Sequence, residues 1–538
     1  MADPLSQEEF TSSLTRIVSH LQNRHTDLSH LPVLPTSSSI SDAISSLPPT
    51  LPAQGLGTSE TISYLLSSLL PGVLQAQNGP RYFGFVVGGV TPAAQLADIL
   101  AGSYDENVQV TLSEETISTA VEQRALEMVL DLIDIPRNTF MGRTITTGAT
   151  GSNILGLACA RDYLYAHSPH LPTGYSYAQD GPPSSPTLPS PPIIILSLHP
   201  HFSIAKAASL VGLGSSSTII HQLPAAEDDE LAFDLSALEA RLKVEKEVGR
   251  GVIVVYGAGE VNTGGFGSGL GDVARLSKQY GAWLHVDAAF GGFAGLMPEL
   301  APYTKDMDKA DSLTLDGHKW LQVPYDCGIF YTRHVSSLTN VFQPPSASAP
   351  AYLSAGKPSA GVEANDGATV FPEGTVQARE VTSPLYVGAE NSRRFRALPL
   401  IASMISLGKE GYRDIIVRNI TFARRIATFI SQSPYYELLN PTPPSFQVDA
   451  VIPSNIVLFR STSSSPFSPD DPTSSARLVK AINGSRKMYV SGTKWRGVGA
   501  VRIAVSNWRT GVEGEGDWEI VKDVLENVGK GEEVKWEG

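Results

Sequence analysis

Cysteine is nearly absent from this chain: Cys159 and Cys327 are the only two among 538 residues. That count excludes a disulfide framework and a cysteine-rich zinc site, and each cysteine lies in an apolar run that reads as a buried free thiol. Basic residues are in deficit, 40 against 54 acidic, which gives a net charge of −14. A surface of that sign repels phosphate backbones and anionic bilayers, so neither a nucleic acid nor a membrane is expected as a partner. No apolar run is long enough to span a bilayer. The opening MADPLSQEEF has neither a basic region nor an apolar core, so it does not read as a secretory signal, and a cytoplasmic protein is the default expectation.

What is present is enough chain for a large core and more than one domain. Residues 1–75 read as a helical arm with amphipathic pieces at 10–21 and 61–70, punctuated by Pro32, Pro35, Pro48, Pro49 and Pro52. Such an arm has little core of its own and is expected to pack on a partner subunit. From 76 to 392 a large domain alternates β-rich runs (193–198, 252–256, 283–286, 312–315) with helical ones (152–166, 236–247, 270–280). This alternation predicts an α/β fold with a mostly parallel central sheet and helices on both faces. The Pro/Ser-rich stretch 173–192 reads as a surface excursion, and the Ala/Ser/Gly/Pro-rich stretch 344–383 as a lid or loop. Residues 393–538 form a smaller α+β domain, with helices at 395–405, 411–431 and 518–528 and strands at 455–459 and 500–505.

In such a sheet ligands bind beyond the carboxyl ends of the strands. Asp287, in WLHVDAAFGG, ends one predicted strand, and Lys319, in SLTLDGHKW, follows another 32 residues on. A lysine amine that condenses with an aldehyde, and a carboxylate that keeps a pyridine nitrogen protonated, are what pyridoxal 5'-phosphate (PLP) needs to act as an electron sink. TTGATGSN at 146–153 leads into a helix, where small residues and first-turn N–H groups suit a phosphate; Ala149 and Thr150 are the cradle candidates. The same pattern also occurs as a plain helix cap. His201 follows the strand at 193–198 and can stack on the ring, with Ser203 beside it and His199 as a competitor; a capping role is the plainer alternative. Asn262, in the turn GEVNTGG, can bond the phenolic oxygen or serve only the turn. His318 can donate to the phosphate, and Asp316 can orient its own turn.

The order phosphate turn, histidine, turn asparagine, strand aspartate, lysine resembles the group II PLP-dependent amino-acid decarboxylases of fold type I, which include the aromatic-L-amino-acid, tyrosine, glutamate and diaminobutyrate enzymes. PRYFGF at 80–85, TAVEQRALEMVLDL at 119–132, HVDAAFGG, DGHKW and SRRFRAL at 392–398 extend the resemblance over about 80–505. It implies that Lys319 forms the Schiff base, Asp287 pairs with the pyridine nitrogen, His201 stacks, Ala289 lies against the ring, and Ala149 and Thr150 bind phosphate. It also implies a homodimer with active sites at the interface, and a substrate pocket touched by Phe85 and Val86.

One departure bears on the reaction. Aromatic decarboxylases carry a loop tyrosine nine residues before the arginine pair, which protonates the substrate's α-carbon; here that position is Pro384. Tyr386 and Tyr352 are the alternative donors. The expected reaction is decarboxylation of an L-amino acid, aromatic by the presence of Phe85, with a glutamate- or diaminobutyrate-type substrate as the alternative. An aromatic aldehyde synthase, a transaminase using Arg502 as a carboxylate clamp, and a catalytically idle PLP-binding protein are the rivals.

Overall fold

The computed structural model describes residues 7–342, 381–441 and 450–537. By internal contacts they form two compact units, one of residues 90–417 and 441–454, the other of 1–89, 418–440 and 455–538. The boundaries read at 75 and 392 differ from this division, because part of the arm packs on the C-terminal residues of its own chain. Val33 N donates to Arg486 O at 2.8 Å, and Arg486 Nε to Leu34 O at 2.9 Å.

The larger unit is built on seven strands: β1 (Gly142–Thr146), β2 (Ile193–Ser197), β3 (Ile220–Gln222), β4 (Gly251–Gly257), β5 (Trp283–Asp287), β6 (Ser312–Asp316) and β7 (Gly328–Thr332). Their order is β1-β7-β6-β5-β4-β2-β3, and only β7 runs against the others. The β-branched runs of β2 and β4 are buried almost throughout, which central parallel strands covered by helices on both faces require. The helices are set by local signals. Leu235–Glu247 starts where the Asp234 carboxylate accepts from Ser236 N and Ala237 N at 2.9 and 3.1 Å. Leu270–Tyr280 stops at Gly281, which takes the left-handed conformation at φ 74°.

Parallel direction places the carboxyl ends of β1, β2, β4, β5 and β6 along one edge of this sheet. β7, reversed, begins at that edge with Gly328, where a Cβ would overlap the Gly148 backbone. Only glycine lets the strand and the turn after β1 approach so closely. The 173–192 stretch holds one short helix, Tyr177–Asp180; the Tyr177 ring stacks on Tyr165 at 5.7 Å and lies under the Arg161 guanidinium at 3.5 Å. The 344–383 segment lies, except for its last three residues, outside the described residues.

The smaller unit contains an antiparallel sheet of β8 (Tyr436–Leu438), β9 (Ile456–Ser461), β10 (Ser491–Trp495) and β11 (Val498–Ala504), in the order β10-β11-β9-β8. Its core holds a buried ion pair, Arg81 Nη1 to Asp517 Oδ1 at 2.8 Å, and stacked rings of Tyr82 and Tyr489. The two helices predicted at 395–405 and 411–431 are both present within Ala397–Gln432, parted at Gly408, whose φ of 58° is not helical. Both cysteines are buried and free. Among the described residues no helix is long and apolar enough to cross a membrane, and no cluster of three or more histidine, cysteine or carboxylate side chains is arranged to hold a metal.

Candidate active site

Along β5, Trp283, His285 and Asp287 alternate onto one face, because side chains in a strand repeat with period two. That face meets the helix Ala149–Ala166, which begins straight after the turn following β1. Three contacts descend the pair: Tyr163 beside Trp283 with ring centres 5.4 Å apart, Gly156 beneath the His285 ring, and Asn153 Nδ2 donating to Asp287 Oδ2 at 2.9 Å. The helix start and the strand end are thereby held at one place.

A cavity of about 400 Å³ opens there, lined by Thr147–Gly151, His199, His201, Ser203, Glu260, Asp287, Ala289, Asp316, His318 and Lys319 among others. Eight of the candidate residues therefore line one space: Ala149, Thr150, His201, Asp287, Ala289, His318 and Lys319, with Ser203 beside His201. Asp287 is aimed by two donors, Asn153 Nδ2 and Ala289 N, the latter at 3.2 Å from Oδ1. Lys319 lies in the short turn Gly317–Trp320, half-buried. Just before it, Asp316 accepts from Ala149 N at 3.2 Å and stands 2.8 Å from His318 Nδ1. The anion-suited turn and the lysine turn are so joined through one carboxylate.

His201 takes the capping role and also lies at the cavity's edge. Its Nδ1 accepts from Ser203 N at 3.3 Å, which caps the helix Phe202–Leu210, while its ring borders the cavity. His199 also borders the cavity, and its Nε2 lies 3.2 Å from Glu230 O.

Asn262 is held by the turn itself. It is not part of the cavity lining; its Nδ2 donates to Glu260 Oε1 at 2.8 Å, and Glu260 also accepts from the backbone N–H groups of Asn262 and Thr263. The tight turn folds the amide onto the neighbouring carboxylate, and it is Glu260 that faces the cavity. Tyr386 sits in the short helical turn Pro384–Tyr386 and is likewise not in the lining, while Tyr352 lies outside the described residues. Phe85 and Val86 belong to the smaller unit, Phe85 exposed with φ 54° and Val86 buried. Arg502, considered as a carboxylate clamp, donates from Nη1 to Phe85 O at 2.6 Å and so anchors that backbone.

Three residues of the constellation were not read from the sequence. Asn153, His285 and Ser312 are fully buried and polar, and they connect Trp283 to Asp287. Trp283 Nε1 donates to Ser312 Oγ at 2.9 Å, Ser312 Oγ lies 2.8 Å from His285 Nδ1, and His285 Nε2 lies 3.0 Å from Asn153 Oδ1. Burial pushes His285 down to about 4, against the opposing pull of Asp287, so the imidazole is neutral at physiological pH. The available signal was a histidine inside an otherwise apolar strand.

Comparison with known proteins supplies the family. The pyridoxal-dependent decarboxylase conserved domain matches residues 42–375, well over half of the chain. A tryptophan decarboxylase of Camptotheca acuminata is 24% identical over 514 residues, covering 94% of this chain and 91% of that one. An aromatic-L-amino-acid decarboxylase of Bacillus atrophaeus is 26% identical over 497 residues, covering 90% and 89%. The crystal structure of Oryza sativa TDC with PLP and tryptamine superposes with a TM-score of 0.76 at 21% identity, over 98% of this chain and 99% of that one, a likeness of fold. The cavity suits PLP on its own terms. It offers an amine, a carboxylate whose two oxygens are oriented from behind by N–H donors, and a helix start of small residues for a phosphate. With a fold type I sheet and that domain match, the chain belongs to the pyridoxal-dependent decarboxylase family and is a PLP-dependent amino-acid decarboxylase.

Proposed function

We propose that the chain decarboxylates an aromatic L-amino acid to its amine, with Lys319 and Asp287 as the cofactor's two anchors. The observation that carries the reading is their meeting in one cavity, at the ends of adjacent strands β5 and β6. The aromatic assignment draws on the tryptophan and aromatic-L-amino-acid decarboxylases it resembles. It draws also on the lining itself, where the carboxylates of Glu260, Asp287 and Asp316 disfavour a second negative charge on the substrate side chain.

When bound, PLP supplies the conjugated ring that takes up the electron pair released as the Cα–carboxylate bond breaks. The protein's part is placement. Lys319 would hold the cofactor through its amine. Asp287 would keep the ring nitrogen protonated, and Ala289, small and two residues on, would lie against the ring. Ala149, Thr150 and His318 would hold the phosphate end. His201 would pack on the ring face and hold the proton for the substrate's α-carbon, a role given to it in preference to Tyr386 because its ring borders the cavity.

The active form is a homodimer. Phe10, Leu14 and Val18 form an exposed apolar stripe on the helix Gln7–Asp27, and Leu96, Leu100 and Tyr104 form another on Pro92–Tyr104. Stripes at four-residue spacing are faces made for packing. Light scattering behind size exclusion should give twice the chain mass.

Pro384 favours a second reading, an aldehyde synthase on the same scaffold. One experiment separates them: the PLP-loaded protein is offered a panel of L-amino acids while CO₂, amine, aldehyde and peroxide are followed. Amine stoichiometric with CO₂ from tyrosine, DOPA or tryptophan supports the proposal. Aldehyde with peroxide supports the second reading, and turnover restricted to glutamate or diaminobutyrate overturns the aromatic assignment.

A further inference from the structure

Asn153 is fully buried, the fifth residue of the helix Ala149–Ala166, and its amide is used three times. Nδ2 donates to Asp287 Oδ2 at 2.9 Å and to Ser203 Oγ at 3.0 Å, while Oδ1 faces His285 Nε2 at 3.0 Å. Both N–H bonds and the carbonyl are thereby committed in one orientation.

The orientation is dictated from both ends of a row of hydrogen bonds. At one end the indole N–H of Trp283 can only donate, so Ser312 Oγ accepts it. The Ser312 hydroxyl proton is then left for His285 Nδ1, which places the imidazole proton on Nε2. That proton goes to Asn153 Oδ1, and the amide must turn its N–H groups toward Asp287 and Ser203. At the other end the carboxylate can only accept. A side branch runs the same way: Ser203 Oγ accepts from Asn153 and gives its own proton to His201 Nδ1, at 2.7 Å, leaving the His201 proton on Nε2.

We propose that Asn153 is a positioning residue for the cofactor: a single amide that fixes the carboxylate meant for the ring nitrogen and the histidine meant for the ring face in one rigid frame. This rests on the assignments of Asp287 and His201 made above. Asn153 touches neither the reacting atoms nor the solvent. It acts through Asp287, by aiming its oxygens, and through Ser203, by setting the direction of the hydrogen bond to His201. A hydrogen bond to a buried charged group is worth enough that its loss should weaken cofactor binding by about 10- to 100-fold.

The test uses Asn153→Leu, which keeps the branching at Cγ and removes all three bonds, and Asn153→Asp, which keeps the shape. Equilibrium dialysis measures the Kd for PLP at several pH values, and thermal unfolding of the PLP-free proteins controls for folding. Asn153→Leu is expected to raise the Kd about 10- to 100-fold at every pH. Asn153→Asp sets two carboxylates against each other, with His285 and, through Ser203, His201 as the other titratable neighbours. The pair must share a proton, so the Kd should be worst at alkaline pH and improve as pH falls. A purely structural asparagine would not produce that difference in pH profile. A Kd within twofold of wild type for both variants, or a pH-independent defect in Asn153→Asp, overturns the proposal. Asp287→Ala is measured alongside. If it weakens PLP binding while the Asn153 variants do not, only the role of Asn153 fails; if it leaves binding and turnover intact, the assignment of Asp287 fails and this proposal with it.

Discussion

Ala149 N–H donates to the Asp316 carboxylate at 3.2 Å, joining the turn after β1 to the turn that carries Lys319. Asp316 sets a negative charge beside the helix start, where a charge of that sign costs affinity for phosphate, and His318 Nδ1 stands 2.8 Å from its other oxygen. Asp316→Asn keeps an acceptor for Ala149 while withdrawing the charge, so its Kd for PLP should stay within about threefold of wild type or improve. Asp316→Ala removes the anchor itself and should weaken binding by about tenfold. Parallel binding titrations of the two variants decide the matter; equal losses would reject the anchoring role.

Lys319→Ala should abolish the absorbance of the covalently held cofactor while leaving some reversible binding. Absorbance retained in that variant would place the Schiff base on another lysine. Asp287→Asn should still bind PLP but lose turnover by orders of magnitude, because a neutral amide no longer holds the ring nitrogen protonated.

His285 carries a pH signature. Its folded-state value is depressed to about 4 by burial, from an ordinary 6.5, so the unfolded chain takes up a proton more readily than the folded one. Its contribution is therefore complete above about pH 6.5 and is lost as pH falls toward 4, by up to about 3 kcal/mol in all. Urea midpoints measured from pH 8 to 5 should drop more steeply for the wild type than for His285→Gln, and superimposable profiles would refute this.

Gly156 tests the packing of helix on strand. A Cβ there would stand 2.5 Å from His285 Cε1. Alanine gains about 1 kcal/mol of helix propensity over glycine, but overpacking a buried ring costs about 1–3 kcal/mol. Gly156→Ala is accordingly expected to be net destabilising and to retain PLP less well, as melting curves with and without cofactor would show.

Arg393 is buried with all its guanidinium nitrogens engaged: Nε on Val108 O at 2.9 Å, Nη1 on Thr144 Oγ1 and Ile145 O at 3.2 and 3.1 Å, and Nη2 on Glu122. Arg393→Met leaves Glu122 as an uncompensated buried charge and should cost about 3–5 kcal/mol. Adding Glu122→Leu should recover part of that loss in the unfolding midpoint; no recovery would mean that the backbone contacts dominate.

The sequence disclosed those elements whose periodicity was strong. β2, β4, β5 and β6 and the helix Leu270–Tyr280 lie within a residue or so of their predicted bounds, and Asp287, Lys319 and the turn at Ala149 could be read from them. β1 (GRTIT) is polar and β3 has three residues, so neither announces itself, and the reversed direction of β7 shows only in its pairing with β1 and β6. At Asn262 a tight turn leaves open which side chain borders the cavity. Asn153, His285 and Ser312 were illegible for a different reason: they lie on a helix and two strands that meet only after folding, and no spacing along the chain links them.

Trp283 stands at the far end of the row from Asp287. An indole N–H responds optically to the hydrogen bond it makes, and this one is buried and joined by four hydrogen bonds to that carboxylate. Trp283 emission recorded with and without PLP is thus where a disturbance at Asp287 would be read, from inside the core.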